Sequence, residues 1–202
     1  MVSLQPPLCD FGWKARAFDL PGVDGKRYTL ESVRGKNGLL VMFICNHCPY
    51  VKSIRDRIVR DTRELLQYGV NSIAVMSNDA AEYVEDSFDN MRKVSQQYGY
   101  PFPYVWDETQ QVARDYGAVC TPDFFGFNAN LELQYRGRLD ASRKESVAGA
   151  PKVGNPLSAK ADAELTPPRD LFNAMVQMAQ TGKGPLEQIA SMGCSIKWSN
   201  EK

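Results

Sequence analysis

Residues 43–53 read FICNHCPYVKS, with Cys45 and Cys48 at C-x-x-C spacing, the chain's only histidine, His47, between them, and Pro49 directly after. Two sulfurs so spaced can close a disulfide or supply half of a metal site. The thiolate is the reactive form of cysteine, and a sulfur at the start of a helix is held ionised by unpaired N–H groups and the positive end of the helix dipole. Cys45 is expected to gain most, its pKa falling from ~8.5 to between ~3.5 and ~7.5. A two-unit drop corresponds to about 2.7 kcal/mol in favour of the thiolate. His47, if protonated or donating a hydrogen bond, favours the thiolate over the disulfide and makes the pair more oxidising. Cys48, one helical turn later, is placed to attack a mixed disulfide and release its product.

This chemistry needs a strand to deliver the sulfurs and a helix to face them. GLLVMFI, Gly38 to Ile44, is a continuous run of β-formers, the pattern of a strand covered on both faces. From Cys48 to Tyr68, Val51, Ile54, Ile58, Thr62 and Leu65 recur at helical spacing, and Pro49 fits a first turn. Val70 to Ser77 reads as a second buried strand and about Ala80 to Tyr98 as a helix, so strand, helix, strand implies a right-handed parallel crossover. A short strand (Tyr104 to Asp107) and a short helix (Glu108 to Gly117) follow. DFFGFN and LELQYRGR around Ala129-Asn130 alternate like an antiparallel hairpin, as do the pieces from Phe18 to Leu30. Asp140 to Pro168 reads as a long surface loop or flap, RDLFNAMVQMAQTG as a closing amphipathic helix, and residues 183–202 as a tail laid on the surface of a domain spanning 1–182.

The chain of 202 residues suits one sizeable core, and its 43% hydrophobic and 24% charged content is that of an ordinary globule. Lysine plus arginine equals aspartate plus glutamate, 24 each, which leaves no positive excess for nucleic acid or an anionic membrane. The longest apolar run, Leu39 to Ile44, is far short of a membrane span, and the N-terminus has no secretion signal, so a cytoplasmic location is expected. Five cysteines at irregular spacing are unlike a disulfide framework; in a reducing compartment a close pair is catalytic or metal-binding.

The order βαβ, hairpin, helix, with C-x-x-C where the first long strand meets its helix, resembles the thioredoxin fold. CNHCP, YGAVCTPDFFGF and GCSIKW resemble peroxiredoxin-like (AhpC/TSA- or redoxin-type) thioredoxin-domain proteins that carry C-x-x-C where peroxiredoxins have T-x-x-C. The likeness runs over residues 10–198 and implies an α/β thioredoxin-like fold, a central mixed sheet flanked by helices. It also implies a cis Pro122 opposite the cysteines, with Thr121 lending its backbone to an extended substrate segment. Asn46 and Pro49 complete that binding surface. The activity it implies is thiol–disulfide exchange with protein or low-molecular-weight thiols: Cys45 attacks, Cys48 resolves, His47 tunes. A thiol-dependent peroxidase with Cys48 or Cys45 as the peroxidatic residue is the alternative, and a metal-binding or scaffold module a third.

The chain departs from its relatives in two places. Ile44 and Leu39 stand where thioredoxins have a tryptophan and a buried aspartate, which leaves the proton acceptor for Cys48 unassigned. Aligning Cys48 on P-x-x-x-T-x-x-C puts Val41 at the proline and Cys45 at the threonine. Neither metal nor cofactor is expected, since a tetrahedral zinc would find only Cys120 beyond the motif. Cys120 could be a further redox partner but reads as inert core sulfur. Cys194 reads as a packed small residue rather than a resolving cysteine, and Cys9 has no supporting motif. Lys52 and Arg55 read as a solvated face, and Phe124, Phe125 and Phe127 as core.

Overall fold

The computed structural model describes residues 3–141 and 168–199. In chain order come β1 (Ser3–Leu4), β2 (Asp19–Pro21), β3 (Arg27–Thr29), α1 (Leu30–Val33), β4 (Gly38–Phe43), α2 (Pro49–Leu65), β5 (Val70–Met76) and α3 (Phe88–Tyr98). Then follow β6 (Tyr104–Trp106), α4 (Gln111–Tyr116), β7 (Cys120–Thr121), β8 (Asp123–Asn128), β9 (Leu133–Tyr135), α5 (Asp170–Thr181) and β10 (Gly193–Ser195). The main sheet has five strands in the order β6-β5-β4-β8-β9, with β4, β5 and β6 parallel and β8 and β9 antiparallel to their neighbours. It is the mixed sheet that the chain order predicts.

β4 is apolar at every position because it lies at the centre of that sheet with both faces covered. Side chains alternate between faces. Leu40 and Met42 pack with Ile58 and Leu65 of α2 and with Leu171 and Met175 of α5, while Leu39, Val41 and Phe43 pack with Val112 and Tyr116 of α4. Each such side chain removed from water contributes about 1.5–3 kcal/mol. The strand that ends at Cys45 is therefore firmly held. Phe124, Phe125 and Phe127 are core, as expected, and β2 and β3 pair as the expected hairpin.

Two elements differ from the sequence reading, and a third expectation falls mostly outside the described residues. The helix expected from about Ala80 begins only at Phe88, after a single 3-10 turn over Val84–Asp86 that turns the Asp86 side chain inward. Most of the loop expected at Asp140 to Pro168 lies outside the described residues. Instead of lying on the surface throughout, the C-terminal segment places β10 between β1 and β7 as the middle strand of a three-stranded antiparallel sheet. Among the described residues no helix is long and apolar enough to cross a membrane.

Candidate active site

β4 delivers the chain to the motif, and the Ile44 N–H still donates to Val75 O (3.1 Å) before the loop turns away. Helix α2 then begins at Pro49, whose missing N–H is no loss at a first helical position, and Cys48 is the N-cap. Both sulfurs are buried. Cys45 Sγ lies 3.3 Å from Thr121 Oγ1, and Cys48 Sγ lies 3.1 Å from the Thr121 carbonyl. The Thr121–Pro122 peptide is cis, the geometry that the resemblance implied.

The pKa shifts favour the thiolate on Cys48, where the sequence reading placed it on Cys45. Cys48 is held down at about 5, first by a hydrogen bond from the Cys45 thiol, which outweighs burial, and then by the Cys194 thiol and the Val51 amide. Burial pushes Cys45 well above the ordinary thiol range, and the Cys48 and Asp86 charges push the same way. The Val51 amide adds to the lowering at Cys48 because residue 48 is the N-cap of α2.

Asp86, which nothing in the sequence singled out, organises the loop. Its carboxylate accepts from the Asn46 N–H (2.7 Å), the His47 N–H (3.1 Å), His47 Nδ1 (2.6 Å) and Asn78 Nδ2 (2.8 Å). Burial alone would raise its pKa, but these donors outweigh burial and hold it below the usual carboxylate value. The Asp86 hydrogen bond in turn raises His47. The His47 ring stacks on Tyr83 at 4.9 Å, and its Nε2 is buried without a partner. Cys45, His47 and Asp86 bring ligand-type atoms within 4.8 Å of one another. Among the described residues this trio offers three ligand atoms, and two of its members are already bonded to each other.

The expected binding residues lie inside the protein. Asn46 is buried, donates from Nδ2 to Glu85 O (2.9 Å) and accepts from the Tyr104 hydroxyl (3.2 Å), so it braces the loop rather than facing a substrate. Pro49 is half-buried at the start of α2. Thr121 pairs its backbone with Cys194 of β10, so the edge expected to receive a substrate strand is already filled. Cys120 is buried 3.5 Å from Pro122 O and its thiol is pushed far up by burial, in keeping with an inert core sulfur. Arg55 is not solvated: it is buried, stacks on Tyr98 at 4.4 Å and reaches the Asn46 carbonyl (3.4 Å). Beside Pro122, Asp123 forms a buried ion pair with Arg136 (2.9 Å).

The sulfur of Cys194, expected only to pack, stands 3.0 Å from Cys48 Sγ although the two residues are 146 positions apart. Cys194 is packed, but against the reactive sulfur. A cavity of about 460 Å³ opens beside Pro122, lined by Tyr50, Ile54, Phe124, Ser191 and Met192, with no cysteine in its wall.

The whole chain is similar to a conserved, uncharacterized protein of Geobacillus kaustophilus, with 39% identity, 100% of this chain and 99% of that one covered, and a TM-score of 0.84. A hypothetical protein of Sinorhizobium meliloti shares 33% identity over 98% of this chain and 99% of that one, with a TM-score of 0.80. A Chlorobium tepidum protein described as the thiol:disulfide interchange protein DsbE shares the fold at 24% identity, covering 63% of this chain and 84% of its own, with a TM-score of 0.53. No protein of curated function matches the chain. Residues 11–138, which run from before the first hairpin through the cysteine pair and Pro122 to the end of the main sheet, match the AhpC/TSA family. On that match and on its thioredoxin-like architecture, the chain belongs to the AhpC/TSA family.

Proposed function

We propose that the protein is a thiol–disulfide oxidoreductase that exchanges a disulfide between the Cys45–Cys48 pair and protein or low-molecular-weight thiol partners. One observation carries the reading: two buried sulfurs in hydrogen-bond contact beside cis Pro122, with opposite proton affinities. The Cys48 thiolate attacks a partner disulfide and one partner sulfur leaves as thiolate. Cys45, on losing its proton, attacks Cys48 Sγ, expels the second partner sulfur and leaves the pair oxidised by two electrons. The Asp86–His47 pair, within 4.8 Å, is where that proton would pass. The roles of the two cysteines are thus exchanged relative to the sequence reading. Ultraviolet thiolate absorbance should show one titration near pH 5, absent in Cys48→Ser, with Cys45 titrating far above it. In glutathione redox buffers, Cys45→Ser and Cys48→Ser should each abolish the internal disulfide. Equal titration of both thiols near the ordinary value would overturn the proposal.

A second reading, hydroperoxide reduction at Cys48, has its own support in the family match and in the thiolate at the head of α2. Cys48 would take the terminal peroxide oxygen as a sulfenic acid and release the alcohol, and Cys45 would then expel water. Fast hydroperoxide consumption in stopped flow, lost in Cys48→Ser, would establish it; uniformly slow consumption would remove it.

A further inference from the structure

We propose that Cys194 is a third redox cysteine: β10 lies beside the cis-proline segment as a built-in partner strand, and its thiol exchanges with Cys48. The proposal rests on the Cys45–Cys48 reading above and names the first thiol with which that pair trades its disulfide.

Cys48 is the middle sulfur of three. It has the Cys45 thiol on one side and Cys194 Sγ, 3.0 Å away, on the other, and its hydrogen bonds with both lower its proton affinity. The second observation concerns the strand that carries Cys194. β10 pairs antiparallel with β7 in the register Cys194↔Thr121 and Ser195↔Cys120, and the Ile196 N–H donates to Val119 O (3.1 Å). It thus occupies the edge along which an extended partner would add as a strand, with a cysteine at the position facing Cys48. The third observation is Gly193. A Cβ there would strike the Thr121 carbonyl and crowd the Pro122 nitrogen, so only glycine lets β10 lie this close.

The step is an isomerisation of one disulfide. With Cys45–Cys48 oxidised, the Cys194 thiolate attacks Cys48 Sγ. The Cys48–Cys194 bond forms as the Cys45–Cys48 bond breaks, the electron pair leaves on Cys45, and Cys45 takes up the proton that Cys194 lost. No oxidant is consumed and the reverse step restores the first disulfide.

Trypsin separates the sulfurs cleanly. Peptide 37–52 holds Cys45 and Cys48, peptide 184–197 holds Cys194, and peptide 115–136 holds Cys120. Full-length protein would be oxidised with diamide, alkylated with iodoacetamide and digested without reductant. The expected result is a cross-link between 37–52 and 184–197 in the native protein, assigned to Cys48 by fragment ions. The same species should dominate in Cys45→Ser, whereas Cys194→Ser should keep only the internal loop of 37–52. Formation of that internal loop with no cross-link in native protein, together with no cross-link in Cys45→Ser, would overturn the proposal and leave the Cys45–Cys48 reading standing. If peptide 37–52 acquires no disulfide at all, both fall. The native-protein measurement decides the matter even where a variant does not fold.

Discussion

Asp86 receives two backbone amides of the Cys45–Cys48 loop and the His47 ring, so the sulfur positions depend on a charge the motif does not carry. The strand before the cysteines is wholly apolar, and the buried carboxylate beside the motif enters from the turn after β5. The cysteine motif was legible because it is local in sequence, whereas the cis proline came from the family resemblance. Asp86 was not legible, since VEDSFDN has no spacing that distinguishes an inward carboxylate from a solvated one. The pair has a defined pH signature. Asp86 is held below its ordinary 3.8, so its contribution to stability is present above that value and lost as pH falls through its lower folded value. His47 is raised above 6.5, so its contribution is present below 6.5 and lost as pH rises through its higher folded value. Asp86→Asn should therefore cost most between pH 3.8 and 6.5, by about 1.5–3 kcal/mol, the value of a hydrogen bond to a charged group. Urea unfolding at acid, intermediate and alkaline pH would show this window. A difference that does not vary with pH would mean that Asp86 acts through packing alone.

At the scale of elements, the long ones announce themselves and the short ones do not. β4 and α2 have enough residues for a continuous apolar run or a 3.6-residue period to stand out. β1, β7 and β10 are two or three residues long, too short for any alternation to be read, and β10 finds its partners far away in the chain. That is why Cys194 read as simple packing. The strand's position depends on the absence of a side chain at residue 193. Gly193→Ala should destabilise the protein by about 1–3 kcal/mol, the usual penalty of overpacking, or displace β10 from Thr121. In the displaced form the Cys48–Cys194 cross-link would be lost, while the Cys45–Cys48 loop would still oxidise. Peptide mapping of this variant separates the two sulfur partners of Cys48 without touching a cysteine. An undiminished cross-link would mean that the strand does not need glycine to reach Cys48.

Across the whole molecule, the two disulfides open to Cys48 constrain the chain very differently. The Cys45–Cys48 bond closes a loop within four residues of one segment, whereas a Cys48–Cys194 bond joins positions 146 residues apart and ties β10 to the start of α2. Because a cross-link acts chiefly by removing conformations from the unfolded chain, the first should stabilise by about 2 kcal/mol and the second by about 5 kcal/mol in the loop-entropy account. The long loop takes in four of the five strands of the main sheet, β4 preceding it, and so encloses most of both cores. Oxidised native protein should accordingly gain more resistance to urea over its reduced form than oxidised Cys194→Ser gains over its own. The difference should vanish on adding a thiol reductant. Because both proteins can form the short loop, only the long one accounts for an excess in the native chain, and equal gains would place the stable disulfide within residues 45–48 and leave Cys194 reduced.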